Sequence, residues 1–204
     1  NQAAEGGFES GATFAANGWT VSNATNNPWI VGTGAAMTGN AAYVASTGTT
    51  YGYTTATPAT NYFWRDVTIP AGETFIKLTF NWKNDGEDDW DIWQVFYGPT
   101  TITPVGVNSH PGAAGTTTVP PGLTGATNIG FGQNQSSIQT ATYFLPASLA
   151  GRRVRIFFVW KSDDSVGTNP PAAIDNISMT SRVPGNFVSI ATGNYGSAST
   201  WDGN

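Results

Sequence analysis

Five carboxylates, Asp85, Glu87, Asp88, Asp89 and Asp91, fall within seven residues of a turn that begins at Asn84 and includes Gly86 and Trp90. Like charges this close repel, and a hard cation with oxygen ligands relieves the repulsion. The turn lacks the ligand spacing of an EF-hand, and acidic turns are often simply solvated. Asp91 is its most telling member, because it stands at the mouth of an apolar segment where water has restricted access. Two more carboxylates pose the same question. By alternation Asp175 shares a face with Ile177 and Met179, which sets a charge at the rim of a core, where it needs a cation or several donors. Glu9 is the counterpart near the other end of the chain, in Gly6-Gly7-Phe8-Glu9-Ser10. In a sandwich whose first and last strands are neighbours, Glu9 and Asp175 close one calcium site, completed by carbonyls or Asn40. The competing reading has each carboxylate paired with backbone donors or an arginine.

Enzymatic chemistry finds little support. The single His110 lies in Ser109-His110-Pro111-Gly112, which reads as a turn with no nucleophile elbow, second histidine or zinc motif beside it. A glycosidase needs only two carboxylates, and Glu87 with Asp91 or Asp163 is the pair to name, but the separation that decides it is not a sequence property. No glycine loop of the phosphate-cradling kind follows a strand and opens a helix. Eight tryptophans exceed the needs of a core this size, and sugar rings stack on exposed indoles. Trp19, Trp82 and Trp160 read as core. Trp29, Trp64, Trp90 and Trp93 lie beside polar turns and are the candidates for a ligand face, with Arg65 near to hydrogen-bond hydroxyls.

These groups must be held by strands. Charged residues make up only 10% of the 204, while glycine (25), proline (12), Thr, Ser and Asn abound and aromatics reach 13%. That is the composition of short strands joined by many turns, with apolar bulk enough to repay the entropy of folding. A period of two marks Phe75–Trp82 and Arg152–Lys161, whose alternate apolar side chains face a core. Further strand signals are Trp19–Val21, Trp29–Val31, Ala41–Ala45, Tyr62–Val67, Ile92–Tyr97, Ile129–Phe131, Ala141–Leu145 and Ala173–Thr180. Eight to ten such strands divided by Gly, Pro and Asn turns predict an all-β, antiparallel two-sheet sandwich. Pro70–Glu73 and Pro146–Gly151 read as connections between the sheets, the second with room for one helical turn. Val105–Thr127 reads as a long loop.

The net charge of −5 disfavours nucleic acid and anionic membranes as partners. Without cysteine there is no disulfide framework, so a bound metal is the remaining staple for a secreted chain. No segment approaches 18 apolar residues, hence no membrane span is expected. The polar start, Asn1 to Glu5, reads as a mature terminus after signal cleavage or as an engineered boundary. A domain over 1–182 is expected. The stretch 183–204 then reads as a Pro-Gly linker and, from Phe187 and through Trp201, the opening of a further β unit that continues beyond Asn204.

Four segments in order carry a family resemblance. They are Gly7-Phe8-Glu9-Ser10 with Gly18-Trp19, Phe63-Trp64-Arg65-Asp66-Val67 through Pro70-Ala71-Gly72, Leu78-Thr79-Phe80-Asn81-Trp82-Lys83 with Gly86-Glu87 and Asp91, and Phe158-Val159-Trp160-Lys161-Ser162-Asp163 leading to Pro170–Ile177. Spanning roughly residues 6 to 181, the set resembles the cleaved-adhesin and MAM-like (choice-of-anchor type) jelly-roll modules of Bacteroidetes surface proteins. The resemblance implies a galactose-binding-like jelly roll, export across the outer membrane, and adhesion or attachment to substrates. It also implies a calcium ion held by the Glu of the opening Phe-Glu pair and the Asp of the closing Ile-Asp pair, here Glu9 and Asp175. Animal MAM domains carry disulfides that this chain cannot form, so the likeness to them is one of fold. Asp164-Ser165-Val166 fits the short acidic-Ser-aliphatic pattern that is O-glycosylated in Bacteroidetes.

The functional expectation is therefore a non-catalytic, secreted or cell-surface module with structural calcium, which binds a glycan or a host or surface protein as part of a larger polypeptide. Two rivals stand beside it: a spacer module of a surface filament, and the accessory targeting domain of a multidomain exoenzyme.

Overall fold

The structure, a computed structural model, describes residues 6–112, 115–185, 188–189 and 201–202. Ten strands form two five-stranded antiparallel sheets. Sheet A has the order β1 (Thr20–Ser22), β4 (Ala59–Thr68), β9 (Arg153–Ser162), β6 (Ile92–Gly98), β7 (Thr127–Gly132). Sheet B has the order β2 (Trp29–Gly32), β3 (Ala41–Val44), β10 (Ala173–Arg182), β5 (Phe75–Asn84), β8 (Gln135–Leu145). All ten strand signals of the sequence fall on these strands, so the sandwich expected from the period of two is the sandwich observed. The expected helical turn is a 3-10 turn over Ala147–Leu149. The largest difference is β8, which starts at Gln135 and not near Ala141, because Gln135–Thr140 has no apolar alternation to betray its pairing with β5.

The inward side chains of both sheets meet in one core. Phe63 of β4 stacks on Phe158 of β9 with ring centres 4.8 Å apart, and Phe80 of β5 meets Phe158 edge-on at 5.0 Å across the sheets. Trp29, Trp93 and Trp160 are sealed into the same core, each at most 1% exposed. Aromatic bulk thus fills a sandwich that has no cysteine to tie it.

The outer faces of the two sheets differ. On sheet A the outward residues Tyr62, Trp64, Phe96, Phe157 and Val159 form a second apolar layer, roofed by Leu123, Ile102 and Ala126 of the segment 99–126. The described residues of that segment, most of which fall in the long loop read from sequence over Val105–Thr127, are pinned down along the sheet. Tyr62 Oη donates to Pro121 O at 2.6 Å, Gln94 Nε2 to Thr116 O at 2.7 Å and Arg155 Nη1 to Ile102 O at 2.6 Å. On sheet B a small cluster around Tyr43 and Met37 covers the β2–β3 side. Beyond it no described residues roof the outward side chains of β10, β5 and β8, and Thr142, Phe144 and Thr180 are exposed.

Beyond Gly185 the backbone of 188–189 pairs antiparallel with that of 201–202. The rest of the expected further β unit, like Asn1 to Glu5, lies outside the described residues.

Candidate functional site

The acidic turn and the far end of β9 meet at one end of the sandwich. Strand β5 delivers the chain to Asn84, a short turn returns it at Ile92 in β6, and β9 runs alongside β6 to Ser162. Oxygen atoms of Glu87, Asp91 and Asp163 consequently lie within 4.8 Å of one another. Asp91 has no solvent exposure. Its Oδ2 accepts a 2.5 Å hydrogen bond from Tyr53 Oη, and its Oδ1 accepts one of 3.0 Å from the Asp163 N–H. Burial raises its pKa to about 7, and the neighbouring Asp163 and Glu87 charges push the same way against the pull of its two donors. Burial, then Asp163 and Asp88, raise Glu87 too, and its Oε2 is sealed from solvent without a hydrogen-bond partner. Gly167 arches over the site with φ +150, where a β-carbon would stand 2.5 Å from Asp91 Oδ2, so the loop closes there only with glycine.

Three clustered carboxylates, one with an unpartnered oxygen, form a hard, all-oxygen donor set that suits a divalent cation. A glycosidase pair that includes Asp91 fails on access, because a fully enclosed Asp91 cannot reach a glycosidic oxygen. His110 does not join the cluster as a base. Its ring lies 5.1 Å from that of Trp90, and burial with the nearby Lys161 ammonium lowers its pKa to about 4.

A second acidic pair lies on the flank of sheet B. The Ile177 N–H donates to Gly6 O at 2.8 Å, which lays the opening segment against β10. Asp175 is 1% exposed, and its pKa rises to about 6 through burial, opposed by the Asn176 N–H and aided by the Glu9 charge. Glu9 Oε1 accepts the Asn40 N–H at 2.8 Å, and it fits into the turn only because Gly39 has no side chain: a β-carbon would lie 2.0 Å from that oxygen. Asp175 Oδ1 accepts the Asn176 N–H at 2.6 Å and Oδ2 accepts the Asn176 side-chain amide at 2.9 Å. The cradle and its two carboxylates fit a calcium ion by donor chemistry. One detail of the sequence reading is corrected. Asp175 does not share a face with Ile177 and Met179, because a bulge with Asn176 at φ +54 reverses the alternation. Ile177 points into the core, while Asp175 sits opposite Asn81 on the outer side.

The tryptophans expected on a ligand face are mostly packing. Trp29 (1% exposed) and Trp93 (0%) belong to the inter-sheet core, and Trp64 (5%) lies under the 99–126 roof between Phe157 and the Arg155 guanidinium. Their polar neighbours in sequence come from tight turns, which say nothing about the face a strand residue takes. Trp90 alone of the four is half-buried, at the acidic end. Arg65 is half-buried at the opposite end, where it lines two concavities.

The aromatic surface that sequence reasoning missed is on sheet B. Phe144 is 62% exposed, its ring 5.2 Å from that of Phe75, over which Arg182 lays its guanidinium at 4.4 Å. Beside them Lys77, Thr79 and Asn81 of β5 stand opposite Phe144, Thr142 and Thr140 of β8, with Ser178 and Thr180 on the other flank. The available signal was the parity of Phe144, which lies out of phase with Tyr143 and Leu145 of the same strand.

No family model and no curated protein matches the sequence. Solved structures do match. One is TmCBM61 in complex with β-1,4-galactotriose, at 12% identity and a TM-score of 0.50 over 89% of this chain and 99% of that one. Another is the Stig cyclase Fisc from Fischerella sp. TAU in complex with (3Z)-3-(1-methyl-2-pyrrolidinylidene)-3H-indole, at 13% identity and 0.50, covering 88% and 95%. The K1 cleaved adhesin domain of Lys-gingipain from Porphyromonas gingivalis W83 matches at 17% identity and 0.43, covering 80% and 90%. At these identities the likeness is one of fold: this chain has the β-sandwich of carbohydrate-binding modules. No helix among the described residues is long and apolar enough to cross a membrane.

Proposed function

We propose that the chain is a non-catalytic, calcium-stabilised module that binds a glycan on the open face of sheet B, as an extracellular part of a larger adhesive protein. The observation that carries this reading is the surface of β10, β5 and β8. An exposed Phe144 plate stands beside rows of threonine, serine and asparagine, the pairing of apolar ring face and hydrogen-bonding edge that a pyranose presents in complement. The sandwich beneath is closely packed, which limits the ordering entropy that opposes binding. Calcium between Glu9 and Asp175, near Asn40, would tie the opening segment to β10, and a cation among Glu87, Asp91 and Asp163 would lock the turn after β5 to the loop after β9. In both places the metal's role is structural, replacing a repulsion with a cross-link. The test is a glycan array with the wild-type protein and Phe144→Ala. Binding that Phe144→Ala reduces at least tenfold with an unchanged melting temperature supports the reading, and a blank array for the wild type removes it.

A further inference from the structure

The three lysines of this chain are used in different ways. Lys161 is buried and donates to Asp89 O at 3.1 Å and to Gly115 O at 2.8 Å. Lys83 holds its ammonium 4.9 Å from the centre of the Tyr51 ring. Lys77 is half-buried on the outward face of β5, whose inward residues Ile76, Leu78 and Phe80 are in the core. It stands between Thr180 of β10 and Phe144 of β8. Among the described residues its ammonium has no ion pair, hydrogen bond or cation–π partner. A cation that has lost part of its hydration and gained no counter-charge is left for a ligand to complete.

The distribution of charge keeps carboxylates away from it. Six of the eight cations, Arg65, Lys77, Arg152, Arg153, Arg155 and Arg182, lie toward the end of the sandwich where Thr68 meets Arg153 and Phe75 meets Arg182. Seven of the thirteen carboxylates lie at the other end, in 85–91 and 163–164. Strand β9 joins the two with ten residues, a span of about 30 Å. The screening length at physiological salt is about 8 Å, so the acidic end does not neutralise Lys77. Nearer carboxylates are engaged elsewhere. Asp66, on sheet A, holds Arg155 at 2.6 Å and Arg153 at 3.4 Å, and Glu73 accepts the Ser181 hydroxyl at 2.5 Å. Asp175 stands opposite Asn81, four residues and about 13 Å along β5 from Lys77. The aromatic neighbour is open as well. Phe144, 62% exposed, faces Lys77 directly in the register, and adjacent strands are about 4.8 Å apart. A pyranose stacked on Phe144 therefore carries an exocyclic substituent over Lys77, with the exposed Thr142 and Thr180 at its rim.

We propose that the sugar selected by this face is acidic: a pyranose bearing a carboxylate or sulfate group, with its ring on Phe144 and its charge on the Lys77 ammonium. The proposal rests on the glycan-binding reading and sharpens it from glycans at large to anionic ones. An ammonium is a compact charge with three rotatable donors, so it takes either acidic group without the fork geometry of a guanidinium. Partial burial strengthens the pair relative to one in open water. The net charge of −5 gives a polyanion no general attraction, so selectivity for acidic sugars has to come from this local contact.

The experiment is isothermal titration of the purified protein with an oligogalacturonate, a sulfated galactan oligosaccharide and a neutral galactan oligosaccharide of equal length. At least one acidic ligand is expected to bind about tenfold more tightly than the neutral one, and more weakly as salt rises. Which of the two does so identifies the acidic group. Lys77→Gln is expected to remove that tenfold preference and leave neutral binding unchanged, while Lys77→Arg, which keeps the charge, retains most of it. Arg153→Gln removes the same charge from the outer face of sheet A, where the side chain is 67% exposed, and is expected to leave the preference intact. Melting temperatures show that the variants fold, and the wild-type preference tests the proposal without any of them. Acidic ligands that bind Lys77→Gln as tightly as wild type, or that lose as much in Arg153→Gln, overturn the proposal. Wild-type protein that takes neutral glycans at least as tightly as acidic ones overturns it but not the module reading, whereas a protein that takes no glycan at all overturns both.

Discussion

The two ends of the sandwich spend their charges differently. At one, Asp91 and its neighbours are enclosed, bonded to Tyr53 and capped by Gly167, and the Lys161 ammonium, itself fully buried, donates to Asp89 O and Gly115 O. At the other, Arg153, Phe144 and Thr180 stand in solvent on strands whose inward faces are equally well packed. Charge that is buried is committed to holding loops in place, while charge and aromatic area that stay exposed remain available to a partner. On the proposed function, the first end serves structure and the second recognition.

Substitutions separate the two roles most sharply where a side chain was expected to touch ligand and is found packed. Trp93→Ala, near the enclosed end, is expected to cost about 3–5 kcal/mol, read from chemical denaturation, because it empties a core position. A Trp93→Ala protein of wild-type stability would break the comparison. Calcium comes next. Saturation at a hundred times Kd adds about 2.7 kcal/mol, so millimolar calcium should raise the melting temperature and a chelator should reverse it. Indifference to both would remove the cation sites.

Tyr53→Phe leaves Asp91 without its shortest donor and is expected to destabilise by about 1–3 kcal/mol. The same carboxylate gives the metal-free protein a pH signature. Its folded pKa of about 7 lies above the 3.8 of an ordinary aspartate, so the folded state holds the extra proton. That contribution is fully present below about pH 4 and is lost as pH climbs through about 7, with Asp175, at about 6, acting in the same direction. Denaturation midpoints measured with chelator between pH 4 and 8 should fall with pH, and the slope should flatten in Asp91→Asn. The smallest effect belongs to the open end. Phe144→Ala is expected to change stability by no more than about 0.5 kcal/mol while removing glycan binding, and a larger loss of stability would place Phe144 in the packing after all.

Legibility in the sequence followed the length scale of each feature. The alternation of Ile76, Leu78, Phe80 and Trp82 is local, and a period of two can bury only one face of a strand, so the sheets could be read directly. Glu9 and Asp175 could be paired across the chain only by taking the first and last strands as neighbours, an assumption the family resemblance strengthened. Their proximity depends on Gly6 meeting Ile177, and the reading of Asp175's face failed because one bulge at Asn176 shifts parity without leaving an apolar trace. Asp163 was visible only as a partner for a hydrolytic pair, and Tyr53 not at all, since a tyrosine between Gly52 and Thr54 gives no sign of a carboxylate 38 residues away. The tryptophans misled for a related reason: a polar turn beside an indole describes the end of a strand, not the face on which the indole stands.

By itself the order of residues determined that this chain is a two-sheet antiparallel sandwich, because hydrophobic alternation and turn chemistry are short-range and leave few other ways to bury the aromatics. Only the tertiary structure decided which outer face is roofed, which carboxylates converge and that the cations gather at one end. Those outcomes depend on strand order, bulge parity and the path of a long connection. Each brings together side chains whose separation along the chain carries no physical signal until the fold has closed.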